Sequence, residues 1–245
     1  MKLKFGKFEY EAEVRRGEEL RDVLRDPQTI CEDFDAYYIF RDVYEDEEDR
    51  ESAKMAGVRY DITIIPPRII GEEYIKTYGH YHPKMNAHTY PELYQVLEGE
   101  AIFLLQLPYP EDRRKIADAL AIRASNGDVV LVPPDYGHVT INPSNSVLKL
   151  ANLVARDFSS VYDDYKRMRG ACYYFLTPGR WVTNPNYLKV PELRQLNAVR
   201  LEFLDVSEIY DLIHTPQKVF FLRESEGCLE LARKLYGVSY EFPRH

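Results

Sequence analysis

Four side chains in this sequence have the types and the spacing of a metal site. His80 and His82 stand at i and i+2, Glu92 follows ten residues after His82, and His138 ends the stretch Val132-Pro133-Pro134-Asp135-Tyr136-Gly137-His138. In an extended strand, residues i and i+2 project to one face, so His80 and His82 point together and Tyr81 points away. Glu92 opens a strand-like run at 93–97, and His138 opens another after the Pro-Pro turn. Three imidazoles and a carboxylate suit one divalent transition metal per chain, Fe, Mn, Ni or Zn, with coordination positions left for a substrate. His-x-His alone is a weak signal; the weight lies on the set. His88, in the gap between His82 and Glu92, reads as a loop histidine, a substrate contact or a replacement ligand. His214 and His245 are isolated and are expected to be solvated.

The elements that must hold these residues read as β structure. Between residues 59 and 155, short apolar runs alternate with turn signals such as Asn126-Gly127-Asp128 and Pro143-Ser144-Asn145. Helical periodicity is weak there, which signals a sandwich or barrel. Strands are expected at 59–65, 94–97, 101–107, 120–123, 129–132, 139–141 and 147–153, with 94–97 and 101–107 joined as a hairpin at Glu98-Gly99-Glu100. Upstream, 2–12 reads as a hairpin around Gly6, 17–26 as helical and 37–43 as a strand. The acidic run from Tyr44 to Glu51 lacks the turn glycine of a calcium loop and reads as a solvated loop or short helix. Downstream come a short helix within 160–168, strands at 173–176 and 181–183 around Pro178-Gly179, a helix at 207–213 capped by Ser207, a strand at 219–222, and a helix at 226–235 ending near Gly237. The expected fold is mainly β: a jelly-roll barrel with a flanking N-terminal hairpin and helix in residues 1–170, then an α/β extension in 171–245. That extension packs on the barrel or at a subunit interface.

Composition bounds the function. The chain has 245 residues, 45% hydrophobic and 29% charged, with 20 tyrosines that favour strands. A net charge of −8 argues against a nucleic-acid binder. No run approaches the ~18 apolar residues of a membrane span, and the N-terminal residues lack a signal-type apolar core. Cys31, Cys172 and Cys228 are odd in number and far apart, as expected of small, partly buried apolar residues in a reducing, cytoplasmic compartment.

The longer spacings carry a resemblance. Six residues separate Glu92 from Gly99; five separate Gly127 from Pro133, with His138 and then Asn142 beyond. These spacings resemble the two motifs of the cupin superfamily, a β-barrel that binds metal inside. There are two departures: the gap between His82 and Glu92 is long, and Asp135 stands where the motif has glycine. Thr77-Tyr78-Gly79-His80-Tyr81-His82, Pro91-Glu92-Leu93-Tyr94 and the segment ending at His138 resemble the cupin-type glucose-6-phosphate isomerases known from archaea. The likeness runs more loosely from about Tyr38 to Tyr165 and faintly to Asn184-Pro185-Asn186-Tyr187.

That resemblance implies a metal on His80, His82, Glu92 and His138, and an aldose–ketose isomerase of a sugar phosphate, with glucose 6-phosphate and fructose 6-phosphate as first guess. It implies phosphate contacts from Thr63 and Thr77, the Gly79 backbone and an upstream tyrosine matched to Tyr38. Tyr165 matches a further active-site tyrosine, while the place of a family histidine in the region from Asp157 onward holds Asp163. Lys76 and Arg68, close in sequence, are candidates to supply charge. Glu92 is the candidate base between C1 and C2, with Tyr94 two residues on as a proton relay or sugar contact; a hydride shift is the rival route. A homodimer is expected by analogy, since open strand edges need covering. The competing readings are another cupin metalloenzyme, such as an oxygenase, and a non-catalytic sugar- or metal-binding cupin.

Overall fold

The computed structural model describes residues 1–156, 159–199 and 204–240; His245, Asp157 and Phe158 lie outside them. The chain begins with β1 (Lys2–Phe5), β2 (Phe8–Glu11), β3 (Glu13–Arg16), β4 (Asp35–Phe40) and β5 (Val58–Ile65). Short strands β6 (Ile69–Ile70), β7 (Glu73–Tyr74), β8 (Lys84–Met85) and β9 (His88–Thr89) precede the long β10 (Glu92–Glu98), β11 (Glu100–Pro108) and β12 (Ile116–Ser125). Then come β13 (Val129–Val132), β14 (Gly137–Ile141), β15 (Leu148–Ala155), β16 (Tyr173–Leu176), β17 (Arg180–Thr183) and β18 (Arg194–Asn197).

Two sheets form the body: β13-β10-β15-β5-β4-β3 and β14-β11-β12-β18. From β10 onward the chain crosses repeatedly from one sheet to the other, the mainly-β jelly-roll arrangement expected from the sequence. Tyr94 of the larger sheet packs on Phe103 of the smaller one, ring centroids 5.2 Å apart.

One strand pairing differs from expectation. β10 and β11 do not form a hairpin: β10 pairs with β13 and β15, and β11 with β12 and β14. Glu98-Gly99-Glu100 is the corner between the sheets. Gly99 has φ 84°, and a Cβ there would lie 2.5 Å from the Val147 carbonyl oxygen, so both backbone hand and space require glycine. The local sequence marks a sharp reversal but carries no record of which sheet the next strand joins.

Both faces of the larger sheet are covered. On β5, Arg59, Asp61 and Thr63 line a cleft, while Tyr60 and Ile62 face away and are buried. Burying a side chain such as Ile62 stabilises the fold by roughly 2 kcal/mol. Over that outer face, Tyr210 packs edge-on to Tyr60 at 4.9 Å, and Phe5 of the N-terminal hairpin lies 6.2 Å from Tyr60. Gln95 donates to the Ser207 carbonyl (2.8 Å) and accepts from the Ile209 N–H (2.9 Å). The Tyr236 hydroxyl accepts from the Leu131 N–H at 3.0 Å. Residues 204–240 thus pack on the outer face of the sheet.

The acidic run is a helix, Glu47–Ala56, capped by Asp46, whose carboxylate accepts from the N–H groups of Glu48 and Asp49. The helical pattern at 17–26 resolves into Gly17–Leu20 and a tight turn at Arg21–Val23. The helix expected at 207–213 is a 3-10 turn, Ile209–His214, and Ser207 does not cap it. The strand expected at 219–222 is helical: Pro216 starts a turn through Val219 that runs into Phe220–Leu222. Four apolar residues fit either state, and proline at the first helical position favours the helix. Among the described residues no helix is long and apolar enough to cross a membrane.

Candidate metal centre

The strands bring the four predicted ligands together. His80 and His138 are bridged through the backbone: the His80 N–H donates to the His138 carbonyl (3.2 Å) and the His138 N–H to that of His80 (3.1 Å). Glu92 opens β10 opposite Val154 on one side and Val132 on the other. One ligand atom from each of His80, His82, Glu92 and His138 lies within 4.8 Å of the others. His82, Glu92 and His138 are buried and His80 is half-buried. Tyr81 points away, as alternation requires, and packs on Tyr165 with centroids 5.3 Å apart.

Polar atoms at this cluster are arranged for a cation. His82 Nδ1 lies 2.7 Å from the Tyr90 carbonyl oxygen. A carbonyl only accepts, so the ring proton sits on Nδ1 and Nε2 of the neutral ring carries a lone pair. That nitrogen faces Glu92 Oε2 at 3.2 Å, and His138 Nε2 faces the same oxygen at 3.3 Å. Glu92 Oε2 and His138 Nδ1 are buried without a hydrogen-bond partner. Burial holds the His138 ring down to about 4, against the pull of Glu92. Burial, then the neighbouring His138 and His82, hold His80 well below its ordinary value. Burial pushes the Glu92 carboxyl up, but contact with His82 and the charges of His82 and His138 outweigh it, and the net shift is downward. His80 and His138, held neutral by burial, together with His82 around an ionised carboxylate oxygen fit a divalent transition metal.

Two neighbours complete this end. The Tyr94 hydroxyl lies 3.1 Å from His138 Nε2, and burial followed by the Glu92 charge keeps it protonated. Asn152 of β15, buried, donates to Glu92 Oε1 at 2.7 Å. The sequence reading missed Asn152; the signal was an amide in the otherwise apolar run 150–155.

Thr63, Thr77, Gly79 and Tyr94 line the cleft over the metal ligands. Thr77 Oγ1 accepts from the Thr140 N–H at 3.0 Å, so its own proton remains to be donated. Gly79 has φ 84°, and a Cβ there would come within 2.5 Å of Tyr165 and Val139. Tyr165 itself is fully buried behind Gly79, its hydroxyl unpartnered, and does not line the cleft. Nor does Tyr38, which donates to Asp35 at 2.9 Å. The upstream tyrosine in the cleft is Tyr37, one residue earlier and hence on the opposite face of β4, accepting from the Tyr78 N–H at 3.1 Å. Asp163 starts the short helix Asp163–Arg167 outside the cleft lining.

The cations also differ from expectation. Lys76 is buried in an ion pair with Glu73, and Arg68 stacks on Phe34 at 4.0 Å. The cleft is lined instead by Arg41 and Arg59. Arg59 Nε donates to both oxygens of buried Asp61 (2.9 and 3.0 Å), and Arg41 reaches Asp61 at 3.4 Å. Burial pushes the Asp61 carboxyl up, opposed by Arg59, the Asp42 N–H and Arg41. His88 is outside the metal cluster; its Nδ1 pairs with Asp135 at 2.5 Å. His214 is not isolated: it lies 3.2 Å from Asp49.

Fold and site together define a jelly-roll protein with a three-histidine, one-carboxylate centre inside it. The profile of the glucose-6-phosphate isomerase (GPI) family matches residues 14–192, and the chain belongs to that family. It is 29% identical to the putative glucose-6-phosphate isomerase 1 of Rhizobium meliloti over 59% of this chain and 65% of that one. It is 34% identical to the glucose-6-phosphate isomerase of Thermococcus litoralis over 41% of this chain and 47% of that one. The match therefore spans less than two thirds of the length of these relatives. Among solved structures, the oxalate decarboxylase of Bacillus subtilis aligns with 51% of this chain and 27% of its own, at 16% identity and a TM-score of 0.36.

Proposed function

We propose that this protein is a metal-dependent aldose–ketose isomerase of a sugar phosphate, with glucose 6-phosphate and fructose 6-phosphate as the first pair. The observation that carries this reading is the convergence of four metal-type donors in a cleft that also holds threonine hydroxyls and two guanidinium groups. Thr63 and Thr77 donate hydroxyls to the phosphate beside the Gly79 backbone, with Arg41 and Arg59 supplying the charge that Lys76 and Arg68 do not. His80, His82, Glu92 and His138 would hold one divalent Fe, Mn, Ni or Zn ion, which would supply Lewis-acid polarisation of a carbonyl oxygen. Asn152 anchors Glu92 through Oε1, and the Glu92 carboxylate, which serves as base only when it is off the metal, takes the proton at C2 and returns it at C1. The protonated Tyr94 hydroxyl, beside His138, relays a proton between the sugar oxygens. A cytoplasmic homodimer completes the reading; β3 and β13 are the edge strands of the larger sheet and offer a surface for a second copy.

The test is direct observation of the reaction. Metal-loaded protein is incubated with a panel of hexose and pentose phosphates and followed by carbon-13 NMR. Interconversion of glucose 6-phosphate and fructose 6-phosphate is expected; no aldose–ketose conversion of any panel member would exclude the isomerase.

A further inference from the structure

The two places where this chain departs from the motif spacing touch each other. The long gap between His82 and Glu92 forms a hairpin of β8 and β9, with Met85 paired to His88 and Lys84 to Thr89. Asp135 occupies the glycine position of the later motif, with φ 67°, a left-handed conformation uncommon outside glycine. Its side chain binds the hairpin with both oxygens. Oδ2 pairs with His88 Nδ1 at 2.5 Å, and Oδ1 accepts from the Thr89 N–H at 2.9 Å. The Asp135 N–H in turn donates to Thr89 Oγ1 at 2.6 Å. Glu92 lies three residues beyond Thr89, and His138 three beyond Asp135. The C-terminal segment closes over the contact: the Tyr240 hydroxyl donates to the Pro134 carbonyl at 3.2 Å, and its ring lies 6.0 Å from His88 and 6.4 Å from Tyr136.

We propose that His88, Thr89 and Asp135, covered by Tyr240, form a clasp that holds the Glu92-bearing and His138-bearing segments at metal-binding separation. These are positioning residues, and none belongs to the donor cluster. The inference rests on the metal reading above. It gives the inserted hairpin and the part of the C-terminal extension around Tyr240 one shared purpose. β10 and β13 pair only as far as Glu92 and Val132; beyond that point the clasp continues the connection between the two segments. A glycine at 135 would relieve the left-handed backbone but lose both carboxylate bonds, so the aspartate is favoured by what it binds and not by its own conformation.

The experiment measures Co(II) affinity by chelator competition, with the visible absorption of bound Co(II) and the melting of metal-free protein recorded in parallel. His88→Ala and Asp135→Gly are each expected to weaken Co(II) binding about 10-fold, in the range typical of groups that orient metal ligands. The double variant should lose no more than the larger single loss, because both changes break one contact. Asp135→Asn, which keeps an acceptor for the Thr89 N–H and a polar partner for His88, should rescue most of the affinity. Tyr240→Phe should cost about 2-fold, as it removes one part-buried hydrogen bond. Wild-type Co(II) affinity in the single variants, losses that simply add, or losses that track the melting temperature alone would overturn the clasp. A wild-type protein that bound no Co(II) would overturn the metal reading itself, and the clasp with it.

Discussion

At the metal end of the cleft, donors from separate stretches of chain are tied to one another by backbone bonds between His80 and His138, by Asn152 on Glu92 and by the Tyr90 carbonyl on His82. At the other end, Thr63, Thr77 and Gly79 offer single hydroxyls and backbone, and the charge comes from arginines that a buried Asp61 holds in place. The contrast is one of tolerance. Metal coordination demands fixed donors, so each ligand is held by a second group. In the proposed reading the other end takes a phosphate, which accepts many hydrogen bonds over a wide range of directions and can be held by smaller and more separate contributions.

If that contrast holds, substitutions at the metal end act on turnover and those at the other end on binding. His138→Ala should lose bound metal and about 1,000-fold in kcat/KM, equivalent to roughly 4 kcal/mol, as read by metal content and steady-state kinetics. Glu92→Gln keeps the shape but not the base. It should lower kcat by 100-fold or more with KM changed about 3-fold at most; a variant with normal kcat would remove Glu92 from the chemistry. Arg59→Met should raise KM about 10-fold at near-normal kcat, the loss of one charge-assisted phosphate contact, whereas Tyr38→Phe, outside the cleft, should change neither by as much as 2-fold. An Arg59 variant that lost kcat alone would erase the distinction between the two ends.

Protonation separates them too. His138 sits at about 4 in the folded protein, below the value of about 6.5 in an unfolded chain. Between those values the unfolded chain binds the extra proton. The metal-free protein therefore loses stability as pH falls from about 6.5 to 4, by at most about 1.4 kcal/mol per pH unit for each such histidine. His80, also lowered by burial, acts in the same direction. Urea unfolding of metal-free protein across that window checks it; stability that rose on acidification would contradict the burial of neutral imidazoles.

The convergence of the four candidate ligands was legible in the sequence because its information is local. His80 and His82 follow from strand alternation, and Glu92 and His138 from strand starts and spacings that resemble the cupin motifs. The rest of the site depends on register between distant strands. Asn152 stands opposite Asp61 and Tyr94 only because β15 lies between β5 and β10 in one particular alignment. Tyr37 and Tyr38 exchange faces with a shift of one residue. Lys76 and Arg68 were near the motif in sequence, yet Lys76 is drawn into the pair with Glu73 and Arg68 onto Phe34. The corner at Gly99 was recognisable as a reversal, but its role in changing sheets was not.

The central claim is that one metal, on these four side chains, enables isomerisation. Its most direct test is a titration of stripped protein with Fe(II), Mn(II), Ni(II) or Zn(II), with glucose 6-phosphate turnover measured at each addition. Activity should be absent at the start and rise linearly to a plateau at one equivalent per chain for at least one of these metals. Full turnover in the stripped protein, or a plateau unrelated to occupancy of His80, His82, Glu92 and His138, would contradict it.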